Sequence, residues 1–254
     1  MKKLLAITAL SAALFFGQTA AAEEKAAEEV KPSHVEMVLV LDESGSMSNL
    51  TNDTIGGFNS MIEKEKKLDV DAHVTTVLFN DQYKMLYNRR ELKDVSKMTD
   101  KDYTPGGMTA LLDAVGRTIH KMDMVSGIHR KDKGNKVLFV IITDGEENDS
   151  REYAYADVKK LIKDRQENAG WEFIFLGANI DAVAAAENLG IDRDRAVKYK
   201  NTGRGVRANF KAVAELSDSL AKSGRVSDEW KETVEKDEDD AADKQSAAVT
   251  LHRR

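Results

Sequence analysis

Short apolar, β-branched runs alternate along this chain with longer stretches whose apolar positions recur every three or four residues. HVEMVLVLD (residues 34–42) is apolar at nearly every position, the pattern of a strand buried on both faces. Ile55, Phe58, Met61, Ile62 and Leu68 then fall at helical spacing, predicting a helix capped by Asn52 or Asp53. Gly56 and Gly57 lie within it; each weakens a helix by about 1 kcal/mol, which points to close backbone packing. Residues 71–80 read as a second strand, and 83–91 as a third. Only two residues separate them, so the third is expected antiparallel, at a sheet edge. The loop TPGGMT leads into a helix carrying Leu111, Leu112, Val115, Ile119 and Met122. Strands are predicted at 136–143, 171–179 and 196–200, with helices between them stopped by Gly170 and Gly190 and a last helix stopped by Gly224. Strands alternating with helices imply an α/β fold: a doubly wound, mostly parallel central sheet with one antiparallel edge strand and helices on both faces.

The two ends of the chain break this pattern. MKK, the apolar run LLAITALSAALFF and small residues at Ala20 and Ala22 follow one another in the order of a bacterial signal peptide, so residues 1–22 are expected to be removed on export. The apolar run is short for a membrane span, and no second long one exists, so the mature chain is expected not to span a membrane and to be periplasmic or secreted. Residues 23–33 are charged, alanine-rich and contain Pro32, a leader or linker with little to bury. Residues 34–224 form the expected domain. From residue 225 to 254 the chain is acidic and poor in apolar residues, and reads as a disordered tail beyond Trp230.

Composition narrows the chemistry. Of 254 residues, 41% are hydrophobic, enough for one sizeable core. Net charge is -6, and becomes -8 once Lys2 and Lys3 leave with the signal peptide, which argues against a nucleic-acid partner. With no cysteine there is no disulfide, thiolate metal site or cysteine nucleophile. The histidines, at 34, 73, 120, 129 and 251, form no H-E-x-x-H pattern and read as surface or core residues rather than ligands.

The chemistry that remains lies at strand ends. Two of the most apolar strands end alike, VLVLD at Asp42 and VIITD at Asp144. In an open α/β sheet ligands bind beyond the carboxyl ends of the strands. If these two strands are neighbours, Asp42, Ser44, Ser46 and Asp144 converge, and Thr109, after the Gly106–Gly107 turn, can reach the same rim. Two carboxylates and three hydroxyls are hard oxygen donors, suited to Mg²⁺ or Mn²⁺, with Ca²⁺ also open. The acidic turn GEEND (145–149) reads as a solvated loop, and Glu43 as pointing away from the other oxygens.

The residues DESGS, GGMT and TDG, in that order, resemble the metal-ion-dependent adhesion site of the von Willebrand factor A (vWA) domain, over residues 35–224. The resemblance implies a Rossmann-like vWA fold in which Ser44, Ser46 and Thr109 are hydroxyl ligands and Asp42 and Asp144 bind directly or through water. It implies strands ending at Asp42 and Asp144 side by side, with the third strand at one edge. It also implies a binding module: an unidentified protein partner presents an Asp or Glu to the metal, in adhesion or envelope assembly. In some relatives metal coordination is coupled to displacement of the last helix. No enzyme is expected. A Mg²⁺-dependent phosphohydrolase is the alternative, although aspartate-based phosphatases place a second carboxylate where this chain has Ser44. A vWA scaffold that binds partners without metal is a third reading.

Overall fold

A computed structural model of the protein describes residues 34–67, 71–125 and 135–236. The expected signal peptide (1–22), linker (23–33), Leu68 and the last part of the tail (237–254) lie outside the described residues. Six strands, β1 (His34–Asp42), β2 (Ala72–Phe79), β3 (Tyr83–Glu91), β4 (Asn135–Thr143), β5 (Glu172–Gly177) and β6 (Ala196–Lys198), form one sheet in the order β3-β2-β1-β4-β5-β6. Every neighbouring pair is parallel except β2 and β3. The expected fold class and strand adjacency are therefore both present.

Side-chain alternation along the strands sorts the core into two layers. Met37, Leu39 and Leu41 of β1 and Leu138, Val140 and Ile142 of β4 face one side, beneath α1 (Thr51–Glu65) and α5 (Gly203–Ser223). Val38 and Val40, with Phe139 and Ile141, face the other, where α2 (Leu111–Asp123), α3 (Tyr155–Asp164) and α4 (Ala182–Leu189) supply the cover. Burial on both faces explains why β1 and β4 read as unbroken apolar runs. α3 runs on into a wider helical turn, Arg165–Ala169, that ends at Gly170 in left-handed conformation (φ 69°). Among the described residues, no helix is long and apolar enough to cross a membrane.

Two expectations are corrected. α1 is not capped by Asn52 or Asp53: it begins at Thr51, directly after a 3-10 turn, Gly45–Leu50, and no side chain caps it. The preceding turn delivers the chain already coiled, and Asp53 instead pairs with Arg207 of α5. The folded unit also extends past 224. Val226, Trp230 and Val234 are buried in the α1/α5 layer, and residues 230–236 are helical. Spacing of four places Trp230 and Val234 on one helical face, and with Val226 just before the helix they make a short apolar stripe that the surrounding acidic residues mask in composition.

Packing between α1 and α5 is keyed by a glycine. A Cβ on Gly57 would clash with Cδ2 of Phe210, a buried ring that also meets Phe58 edge-on at 6.3 Å between centroids. At Gly56 a Cβ would find nothing within 4 Å. Gly56→Ala should therefore stabilise the protein by about 0.5–1 kcal/mol through helix propensity. Gly57→Ala should destabilise it by about 1–3 kcal/mol through overpacking. Urea unfolding of the two variants checks this, and equal effects at the two positions would contradict the packing.

Glu65 lies under the same helix pair, about 1% exposed. Its Oε2 accepts a 2.5 Å hydrogen bond from Ser217 of α5, while Oε1 has no partner. Burial pushes the Glu65 carboxyl up to about 7, against the Ser217 bond, which favours the ionised form. The unfolded chain releases this proton near 4.5, so between 4.5 and 7 the folded state holds more protons and stability falls as pH rises, levelling off above 7. At about 1.4 kcal/mol per pKa unit, the loss is about 3 kcal/mol. Glu65→Gln should be more stable than wild type by about that amount at pH 8 and little different at pH 4. A difference that does not change with pH would refute the assignment.

Candidate metal centre

The site is assembled by where the strands stop. Asp42 is the last residue of β1 and lies opposite Phe79 of β2; on the other side Leu41 pairs with Ile142, which brings Thr143 and Asp144 alongside Asp42. Asp42 is about 1% exposed. Its Oδ1 accepts from the Ser44 amide at 2.7 Å and its Oδ2 from the Thr143 hydroxyl at 2.6 Å. Ser44 Oγ lies 3.1 Å from Ser46 Oγ, and Ser46 Oγ donates to Asp144 Oδ1 at 2.5 Å. Asp42, Ser44, Ser46 and Asp144 thus form one hydrogen-bonded chain that crosses from the end of β1 to the end of β4. Thr109 borders it: a Cβ on Gly145 would lie 3.5 Å from Thr109 Oγ1 and 4.0 Å from Ser46 Oγ.

Backbone contacts hold the loops in place. The Gly45 amide donates to the Gly107 carbonyl at 3.2 Å, and the Gly106 amide to the Glu43 carbonyl at 2.9 Å. Gly107 has φ +74°, a backbone conformation that favours glycine. Glu43 turns away from the chain of oxygens, as expected, and accepts from the amide and hydroxyl of Thr104.

The GEEND turn differs from expectation. It is not simply a solvated loop, because Asn148 exchanges two hydrogen bonds with the Thr109 backbone, at 2.9 and 3.0 Å. Glu147 accepts from the Leu112 amide in the first turn of α2 at 2.9 Å, and from the amides of Asp149 and Ser150. A carboxylate there also complements the positive end of the helix. Asn148 and Glu147 thus tie Thr109 and the start of α2 to the turn that follows Asp144.

Several residues around the site were not singled out from sequence. Tyr103 donates to the Asp42 carbonyl at 2.6 Å. Asn201 donates to Asp144 Oδ2 at 3.0 Å, while its Oδ1 is buried without a partner, as is the Tyr199 hydroxyl. Tyr199 and Asn201 follow β6, so the end-of-strand rule that found Asp42 and Asp144 also applies to them.

Burial raises the Asp42 carboxyl above its ordinary value, against hydrogen bonds from Ser44 and Thr143, and the Asp144 charge adds to the rise. Burial, with both aspartates nearby, drives the Tyr199 hydroxyl well up. Two adjacent carboxylates, three hydroxyls and two orphaned buried polar atoms make a donor set that fits a hard divalent cation. The structure gathers four of the five expected ligands into direct contact and sets Thr109 at their edge.

Comparison with known proteins agrees with this architecture. Residues 34–200 match the vWA-TerF-like family model, described as the vWA found in the TerF C terminus. Among curated proteins no sequence matches the chain. Solved structures with the same fold include a mutant of the PilB minor pilin from Streptococcus sanguinis, at 12% identity and a TM-score of 0.53, covering 74% of this chain and 62% of that one. Another is the vWF domain of the type V pili tip protein Mfa5 from Porphyromonas gingivalis, at 13% identity and a TM-score of 0.50, covering 78% and 99%. Proximal thread matrix protein 1 from the mussel byssus, with a zinc-occupied MIDAS motif, gives 14% identity and a TM-score of 0.50, covering 74% and 47%. The chain spans less than half the length of several other structural relatives. With the family model matched over most of its length, the chain belongs to the vWA-TerF-like family.

Proposed function

We propose that this is an exported binding protein whose vWA domain captures a protein partner through a divalent cation, Mg²⁺ in the first instance. Asp42, Ser44, Ser46, Thr109 and Asp144 would hold the ion. The observation that carries the reading is the Ser46–Asp144 hydrogen bond, which draws the β1 loop and the end of β4 together into one oxygen-lined centre. When bound, Mg²⁺ supplies a positive charge with exchangeable water positions, to which a partner's Asp or Glu can coordinate. Neutral hydroxyls make up three of the five donors, so the ion's charge is only partly offset and an acidic ligand remains attractive. Export is proposed from the order of charged, apolar and small residues in 1–22, and the compartment is periplasmic or extracellular.

Binding is favoured over phosphoryl transfer by the residues beside Asp42. Ser44 occupies the position where an aspartate-based phosphatase carries its second carboxylate. The hydroxyls of Ser44 and Ser46 bond to each other and to Asp144, not to an imidazole that could activate them.

Calorimetry on the purified protein should show Mg²⁺ binding that Ser44→Ala and Asp42→Ala weaken at least tenfold, about 1.4 kcal/mol or more. Ser46 is exposed, so Ser46→Ala tests the same contact with little risk to folding. Unaltered affinity in all three would overturn the site. Capture from envelope extracts should lose its partner on adding chelator, and a phosphatase screen should be silent. Mg²⁺-dependent turnover abolished by Asp42→Asn would favour the enzyme instead.

A further inference from the structure

Two histidines that look unrelated in sequence meet at the opposite end of the sheet. The parallel register places Glu36 of β1 against His73 of β2, and His34 lies two residues earlier on the same face as Glu36. His34 Nε2 is 2.8 Å from Glu36 Oε1 and 2.9 Å from His73 Nδ1, and His73 Nδ1 is 3.4 Å from Glu36 Oε1. Strand register, not sequence spacing, joins these two of the scattered histidines.

We propose that His34, Glu36 and His73 form a metal site for Zn²⁺ or a similar borderline divalent ion, separate from the oxygen-lined centre. Hydrogen accounting supports it. His34 Nδ1 faces Asp71 Oδ2 at 3.2 Å and carries a hydrogen there. Arg89, which can only donate, approaches His73 Nδ1 at 3.3 Å, so that nitrogen presents a lone pair. Glu36 is a carboxylate paired with Arg89. His34 Nε2, His73 Nδ1 and Glu36 Oε1 therefore converge on one small region, where Arg89 Nη2 donates to Glu36 Oε1 and reaches His73 Nδ1 in place of an ion. A divalent cation satisfies all three lone pairs at once.

The dimensions fit. Zinc–nitrogen and zinc–carboxylate bonds of about 2.0–2.2 Å in a tetrahedral site put neighbouring donors about 3.4 Å apart. One of the three separations already has that length, and the others need to open by about half an ångström. Outer partners are present as well: Asp71 orients the His34 ring, and Arg89, which bonds both Glu36 oxygens, keeps Oε2 through Nε at 3.1 Å once it gives up Oε1 to the ion. The His73 side chain is 24% exposed, which leaves a route in and a fourth position for water or an outside ligand. Imidazole selects this class of ion over Mg²⁺. Zinc would clip the start of β1 to β2, eight residues and about 27 Å along β1 from Asp42.

The test uses tag-free full-length protein carrying Ser44→Ala and Ser46→Ala, which disables the oxygen-lined centre independently of this one. Calorimetric titration should give one Zn²⁺ per chain, and X-ray absorption a shell with two imidazole nitrogens at about 2.0–2.1 Å. Adding His73→Gln, or His34→Gln if the first variant misfolds, should weaken zinc binding at least tenfold while leaving Mg²⁺ binding by otherwise wild-type protein intact. An oxygen-only shell, no binding in the serine background, or undiminished affinity in the histidine variants would overturn the proposal.

Discussion

The same-direction pairing of β1 with β4 fixes where both aspartates can go. Parallel neighbours leave the sheet at the same edge, and the register that sets Leu41 against Ile142 brings the two chain ends level there. Two carboxylates buried side by side repel one another, and this is what makes the surrounding hydrogen bonds necessary. Thr143 and the Ser44 amide hold Asp42, while Ser46 and Asn201 hold Asp144. The sheet places the charge and the loops moderate it. A shift of one residue in the β1–β4 register would separate the ends and also turn each apolar face over, so core packing protects the site geometry.

Much of this was legible in the sequence because it rests on periodicity. β1 and β3 match the expected bounds, and the remaining strands agree within two residues at either end, since continuous apolar runs between turn residues mark them well. The oxygen-lined centre was legible for a related reason: four of its members, Asp42, Ser44, Ser46 and Asp144, sit at or just after strand ends, where position in the chain determines position in space, and Thr109 leads into α2. Thr143 and Asn201 were harder to see. Each is an ordinary polar residue whose role depends on a lateral neighbour, and lateral neighbours become known only with strand order. Residues 225–236 were obscured by composition, because three apolar side chains among many charges carry little weight in an average but can still cover one strip of core. Register likewise hid the meeting of His34 with His73, and tertiary context replaced the expected cap of α1 by a preceding turn and turned Asp53 toward α5.

The two ends of β1 present different chemistries. At its carboxyl end lie hydroxyls and carboxylates, and at its amino end two imidazoles flank a carboxylate held by Arg89. Both arise from parallel neighbours in register, with β4 contributing at one end and β2 at the other. The central strand is thus the common reference from which each cluster takes its geometry.

The notch at Gly57 has a mechanical consequence. The ring of Phe210 enters at Gly57, on the α5-facing side of α1 where no side chain stands, and the neighbouring Phe58 meets it edge-on. Sliding α5 along α1 would carry the ring out of its socket and over bulkier positions, so intermediate offsets are sterically poor. Travel of this helix would resemble a ratchet tooth lifting out of its slot more than a piston gliding in a sleeve.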